Sequence, residues 1–297
     1  MASEIRKSLE KFGVDQEQAI QKSEEFSKNY SSKKGKLDNG KTNVMLFLSQ
    51  KEIEEITSTL TTLEETSEIA KFAENFAKET SNRPSAPDIA MFGRMLADRP
   101  ETNIDAACQV AHAISTHAAN MDIDFFTAVD DLQIEGETGA GMMGVTGFNS
   151  ACFYRYASID FNQLLKNLNG DLALAKKTVE GFITASVFAI PSGKQNSYAA
   201  HNPPSFYMAV IRNDGSSWSL VNAFEKPVNQ MSHKGLIQAS IEALDLYWQK
   251  LSGFFGETAE PVVACLEGGQ GLTSLKEFQV DSLEKWVEEI IKKLPQE

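Results

Sequence analysis

The hydrophobic residues of this chain fall into two rhythms. In the N-terminal third, Ile53, Ile56, Leu60 and Leu63 recur at helical spacing inside a Glu-rich stretch, which predicts a helix with one packed face and one solvated face. Helical spacing returns at Ile237, Ile241, Leu244, Trp248 and Leu251, and again at Leu283, Trp286, Val287, Ile290, Ile291 and Leu294. Those stripes are read as core contacts. The middle of the chain instead alternates with period two. As a strand, "NMDIDFFTAVD" puts Met121, Ile123, Phe125, Thr127 and Val129 on one side, and Asp122, Asp124, Phe126, Ala128 and Asp130 on the other. The first side is nearly all apolar and suits a core. The second is wet, with Phe126 its one large apolar group, and a ring there has no interior to enter.

Breaks separate these runs. "NYSSKKGKLDNGK" and "SNRPSAPD" have loop composition, and the second marks a subdomain edge near residues 81–88. "SFYMAVI" and "WSLVNAF" read as strands joined by "RNDGSS", whose Asn-Asp-Gly content favours a tight antiparallel hairpin. Strands joined by hairpins, with helices elsewhere, give an α+β class with helices on one face of an antiparallel sheet.

Composition narrows the function. At 297 residues and 42% hydrophobic content the chain can bury a sizeable core. It has no leader-like start and no long apolar run, so a cytoplasmic location without membrane insertion is expected. Cys108, Cys152 and Cys265 are too dispersed for a zinc or redox motif and read as small buried hydrophobes. A net charge of −13 lowers the expectation of a polyanionic partner. Residues 161–235, however, hold seven basic against four acidic residues, and screening beyond about 8 Å lets a local basic patch act.

Several constellations carry candidate chemistry. Asp122, Asp124, Asp130 and Asp131 have the hard-oxygen character that Mg²⁺ prefers and open a nuclease reading, against a plainer one as a solvated acidic face. His112 and His117 are five apart, which places them on opposite strand faces or about 140° apart on a helix, so a shared metal is not expected. Ser115, His117 and Asp122 have the residue types of a hydrolase triad, but only geometry identifies one. "GAGMMG" matches G-x-G-x-x-G, yet "VTGFNSACFYRYA" after it alternates like a strand, where a nucleotide site needs a helix. It is better read as the glycine-rich loop of a long hairpin, with Met142 and Met143 near the tip. "IPSGKQNSYAAHNPP" lacks a P-loop's earlier glycine and instead suits phosphate contacts through Lys194 and Gln195. No cofactor or metal is expected.

In order, "DIAMFGRM", the acidic-aromatic strand ending in "VDDLQ", the glycine-rich loop, "FYRYA", "GKQNSYAAHNPP" and "VNAFEKPV" resemble the CasC-type backbone subunit of the type I-E CRISPR surveillance complex, Cascade. The resemblance covers most of the chain from about residue 88. It implies an RRM-like (ferredoxin-like) palm over 106–297, helical fingers over 1–105, and a β-hairpin thumb inserted at about 120–150. It implies a non-catalytic protein that lines up in several copies along one CRISPR RNA, with other Cascade subunits, while the guide pairs with target DNA in antiviral defence. By this similarity Phe126 and Thr127 lie on the thumb, Met143 on its return strand and Met95 on the fingers, at a kinked guide position. Lys194 and Gln195 fall in a palm loop near the RNA backbone. Family members usually open with a palm strand and a Ser/Gln/Lys/Arg-rich grip, whereas this chain opens with "MASEIRKSLEKFG". The palm is therefore expected to lack its N-terminal strand and main basic grip.

Overall fold

The computed structural model describes residues 1–32, 41–42, 45–128, 142–213, 215–229 and 234–296, with the backbone alone at Ala128, Met142 and Met143. Helices α1 (Ala2–Lys11), α2 (Gln16–Ser31), α3 (Gln50–Thr62), α4 (Thr66–Lys78) and α5 (Pro87–Phe92) come first. Strands β1 (Cys108–Val110), β2 (Ile114–Ser115), β3 (Asp122–Ala128), β4 (Met142–Phe148), β5 (Phe153–Tyr154) and β6 (Ala157–Ile159) follow. Then come α6 (Phe161–Asn167), α7 (Leu172–Phe188), α8 (Gln195–Tyr198), β7 (Phe206–Ala209), α9 (Leu236–Phe255), β8 (Val262–Cys265), β9 (Gln279–Val280) and α10 (Leu283–Lys293). Among the described residues no helix is long and apolar enough to cross a membrane. The class is α+β.

Packing divides the chain into two units. The first comprises Met1–Val110, Ala157–Ser186 and Gln296–Glu297; the second comprises Ala111–Tyr156 and Val187–Pro295. Residues 157–186, read from sequence as part of the palm, thus cluster with the N-terminal helices, and "SNRPSAPD" lies inside the first unit.

In the first unit, α1 to α4 close around Ile5, Leu9, Phe26, Tyr30, Ile56, Leu60 and Phe76. Burying each such side chain contributes about 1.5–3 kcal/mol. Helix α3 starts where it does because Ser49 Oγ accepts the Glu52 N–H while the Glu52 carboxylate accepts the Ser49 N–H, a reciprocal cap. The same carboxylate pairs with the buried Arg94, whose Nη1 lies 3.0 Å from Glu52 Oε1. Arg94 Nη1 also donates to the Phe47 carbonyl, and its Nε to that of Thr102.

The second unit is built on a three-stranded sheet in the order β7-β8-β9, with β7 antiparallel and β9 parallel to β8. Alternation sends Phe206 and Met208 into the core with Ile241, Leu244 and Trp248 of α9. Tyr207 points the other way and stacks on Trp286 of α10, whose Nε1 donates to the Val262 carbonyl at 2.9 Å. Helices therefore cover both faces of a mixed sheet, not one face of an antiparallel one. The expected hairpin between "SFYMAVI" and "WSLVNAF" is also absent, because β7 pairs with β8 and Val221–Phe224 forms a 3₁₀ turn. Leu220 and Phe224, four apart, are both buried against the α9 core, a need that a strand in that place cannot meet.

Asp245 of α9 organises the loop before β9. Its carboxylate accepts the backbone N–H groups of Thr273, Ser274 and Leu275 and the hydroxyls of Thr273 and Ser274. Burial alone would raise its pKa, but these donors outweigh burial and hold the carboxyl below its ordinary value. A depressed carboxylate stabilises the fold above its unfolded pKa of about 3.9 and loses that contribution as pH falls through the folded value. Asp245→Asn is therefore expected to lower stability by about 2–3 kcal/mol at neutral pH. Urea titrations should show the gap to wild type narrowing below about pH 4; a gap that is flat with pH would contradict this account.

Candidate nucleic-acid interface

Strands β3 and β4 form a hairpin whose register pairs Asp122 with Phe148, Asp124 with Thr146, Phe126 with Gly144 and Thr127 with Met143. Because side chains alternate, one face carries Ile123, Phe125, Thr127 and Val145, and the other Asp122, Asp124, Phe126, Thr146 and Phe148. The expectation of a dry apolar face is overturned. Met121, Ile123 and Phe125 are 66%, 61% and 70% exposed, so among the described residues no layer covers that side. The ring of Phe126 is neither alone nor the more exposed of the two. It is 43% exposed and lies over Gly144, where an added Cβ would come within 2.3 Å of the ring. Met121 covers Gly147 in the same way. Glycine in a strand here makes room for a side chain from across the ribbon.

An isolated two-stranded hairpin is marginal in water, so its root needs support. The segment around α8 provides it. Tyr198 Oη donates to the Gly147 carbonyl at 2.6 Å, and its ring packs on Phe148 with centroids 5.3 Å apart. Lys194 Nζ donates to Thr146 Oγ1 at 2.8 Å, which occupies one of the ammonium's three N–H donors. Gln195 is turned inward on its own loop, with Nε2 donating to the Pro191 carbonyl and Oε1 accepting the Ala200 N–H. Lys194, expected near the RNA backbone, thus gives one donor to the hairpin's root, and Gln195 shapes the loop that carries it. Tyr198 and Phe125 were not singled out in the sequence; the ring in "GKQNSYAAHNPP" was the available signal for the former.

Met95 belongs to the first unit and is 81% exposed between the buried Arg94 and Leu96. The backbone N–H and carbonyl of Arg94 pair with Ile104, and the Leu96 N–H is held by Asn103 Oδ1, so the apex between them turns Met95 outward. Gly93 makes this approach possible. At φ 77°, ψ 174° it occupies a region open essentially to glycine, and a Cβ there would sit 2.8 Å from the Ile104 carbonyl oxygen.

The remaining candidates resolve as follows. Asp122 and Asp124 are exposed on the Phe126 face, while Asp130 and Asp131 lie outside the described residues. Among the described residues no three His, Cys, Asp or Glu side chains cluster as metal ligands. The triad is not formed: Ser115 Oγ bonds the His117 backbone, and the His117 ring faces Cys152 and Ala118. Part of "GAGMMG" lies outside the described residues, and its end opens β4, a strand. Side-chain placement of Met142 and Met143 is likewise outside them.

The chain belongs to the CT1975-like protein family, whose profile matches residues 1–293. A chain of a solved "CRISPR RNA-guided surveillance complex, pre-nicking" is 29% identical with a TM-score of 0.79, and the match covers 98% of this chain and 82% of that one. A chain of another "CRISPR RNA-guided surveillance complex" is 32% identical with a TM-score of 0.60, covering 73% and 81%. No curated protein sequence matches. The resemblance drawn from the sequence is borne out at the level of a CasC-like family and of a component of CRISPR complexes.

Gly93→Ala is expected to cost at least about 1–3 kcal/mol from backbone conformation, with the collision added. Thermal denaturation reads it, and a variant as stable as wild type would mean that the 93–106 contact can widen freely.

Proposed function

We propose that this protein is a non-catalytic RNA-binding backbone subunit that lines up along a CRISPR RNA in a Cascade surveillance complex of type I-E character. In this reading the β7-β8-β9 sheet with α9 and α10 belongs to an RRM-like palm, β3 and β4 are its thumb, and Met95 lies on the fingers. Neighbouring copies and other subunits flank it, and target DNA is met through the guide heteroduplex. One observation carries the reading: a hairpin anchored at its root exposes Phe125 on one face and Phe126 on the other, with neither directed into a core. Exposed rings on a rigid arm suit base faces, since every base offers a π-surface, and each stacked base contributes about 1–3 kcal/mol. Thr127 and Met143 form a cross-strand pair next to Phe126 and Gly144, toward the distal end of the same ribbon. Membership of the CT1975-like family and likeness to chains of RNA-guided complexes support the same partner.

Purified complex should contain stoichiometric short RNA. Phe126→Ala should leave the melting temperature unchanged and weaken target binding roughly 5- to 150-fold, the equivalent of one lost stack. Labelled RNA and DNA should stay intact with Mg²⁺. Mg²⁺-dependent cleavage abolished by Asp124→Ala would instead establish a nuclease.

A further inference from the structure

The aim of the hairpin depends on a short stretch where its ladder is interrupted. Strands β2 and β5 pair Ile114 with Tyr154 and Ser115 with Phe153, and the Thr116 N–H donates to the Cys152 carbonyl at 2.9 Å. Pairing then lapses over residues 118–121 and 149–151 and resumes at Asp122 with Phe148. At the lapse, the side chain of His117 reaches across to the returning chain. The Cys152 N–H meets its Nε2 at 3.1 Å, and its Nδ1 lies 2.8 Å from the Ala118 carbonyl oxygen. A backbone N–H can only donate and a carbonyl can only accept, so Nε2 carries no hydrogen and Nδ1 carries one. Both contacts demand the same tautomer, which is a consistency that chance placement does not require.

The surroundings fix the ring's own position. Ser115 Oγ donates to the His117 carbonyl at 2.7 Å and accepts the His117 N–H. The buried Thr116 places Oγ1 2.8 Å from Ser240 Oγ on α9, and the Thr116 carbonyl accepts the Val228 N–H. His117 therefore stands on a base tied to the core of the second unit and holds the returning strand by an amide that has no ladder partner there.

We propose that His117 is a positioning residue: its neutral imidazole clips the two roots of the β3/β4 hairpin together and so sets the direction in which the hairpin presents its rings. This rests on the reading of the hairpin as a polynucleotide contact. His117 touches no partner in this account and acts through the arm.

The test compares His117→Gln, whose Oε1 can replace the Nε2 acceptor, with His117→Leu, which offers no acceptor. Hydrogen exchange on the full chain and guide-RNA affinity of the assembled complex are measured for each. His117→Leu should quicken exchange in peptides spanning 142–152 by roughly 3- to 10-fold, the value of one hydrogen bond. Elsewhere in the second unit exchange should be unchanged, and RNA affinity should fall by a similar factor. His117→Gln should restore both. If the leucine variant does not fold, His117→Asn, whose shorter amide does not reach Cys152, replaces it against the same glutamine. Unchanged hairpin exchange without the acceptor, faster exchange spread evenly over the unit, or no recovery with glutamine would each overturn the proposal. If exchange behaves as stated while Phe126→Ala leaves target binding untouched, the clip stands and the reading of the arm as a polynucleotide contact fails.

Discussion

Two hydrogen-bonded strands with solvent on both faces bury too little surface to hold a direction of their own, and most of what is distinctive in the second unit answers that difficulty. The β3/β4 ladder supplies internal stiffness, and the aromatic and thioether groups that fold over Gly144 and Gly147 thicken the ribbon. Orientation comes from below. Tyr198, Lys194 and Phe148 brace the β4 side, while Thr116, His117 and Ser240 tie the entry of β3 to α9. The exposed rings farther out then stand on a directed ribbon, and on the proposed reading that lowers the ordering cost of meeting a partner.

A related solution holds Met95. An exposed side chain at the apex of a bend has no packing to fix it, so its neighbours must be fixed instead. Arg94 spends its guanidinium inside the protein on Glu52 and on two carbonyls, and Leu96 is buried beside it. A cation removed from water is costly unless its partners are close and well aimed, and Glu52 meets that demand while also closing the cap of α3. In the sequence, Arg94 stands only as one letter of "DIAMFGRM". In the structure it is a scaffold residue, and the group it leaves on the surface is the neighbouring methionine.

What could be read from the sequence was periodicity with a single cause. The stripes of α3, α9 and α10 and the period-two run of β3 announced their elements and their two-sidedness. Contextual facts were hidden. Nothing in "MDIDFFT" tells whether a layer will cover Ile123 and Phe125; alternation specifies two faces, and only tertiary structure decides which is dry. "WSLVNAF" failed because Leu220 and Phe224 satisfy either a strand or a turn until α9 is in place. Tyr207 and Trp286 carried the second helical layer, but a sheet buried on both faces shows less alternation than one wetted on a side. The role of His117 depends on Cys152, 35 residues later, and no spacing rule connects a ring nitrogen to a backbone amide at that distance.

The acidity of the chain bears directly on how such an arm can meet a polyanion. Asp122 and Asp124 lie on the same face as Phe126, so phosphates approaching that face are repelled within the screening length of about 8 Å. Bases are not. A ring flanked on its root side by carboxylates favours a geometry in which a splayed base comes to the ring while its phosphate stays away from the acidic end. Among the described residues the opposite face, with Ile123, Phe125 and Val145, carries no carboxylate. On the proposed reading the two faces therefore differ in what they admit: the Phe126 side discriminates by orientation, and the Phe125 side accepts any flat or apolar surface. On the same proposed reading, a protein with a net charge of −13 engages RNA through shape and stacking, with phosphate neutralisation left to a few lysines or to the proposed neighbours.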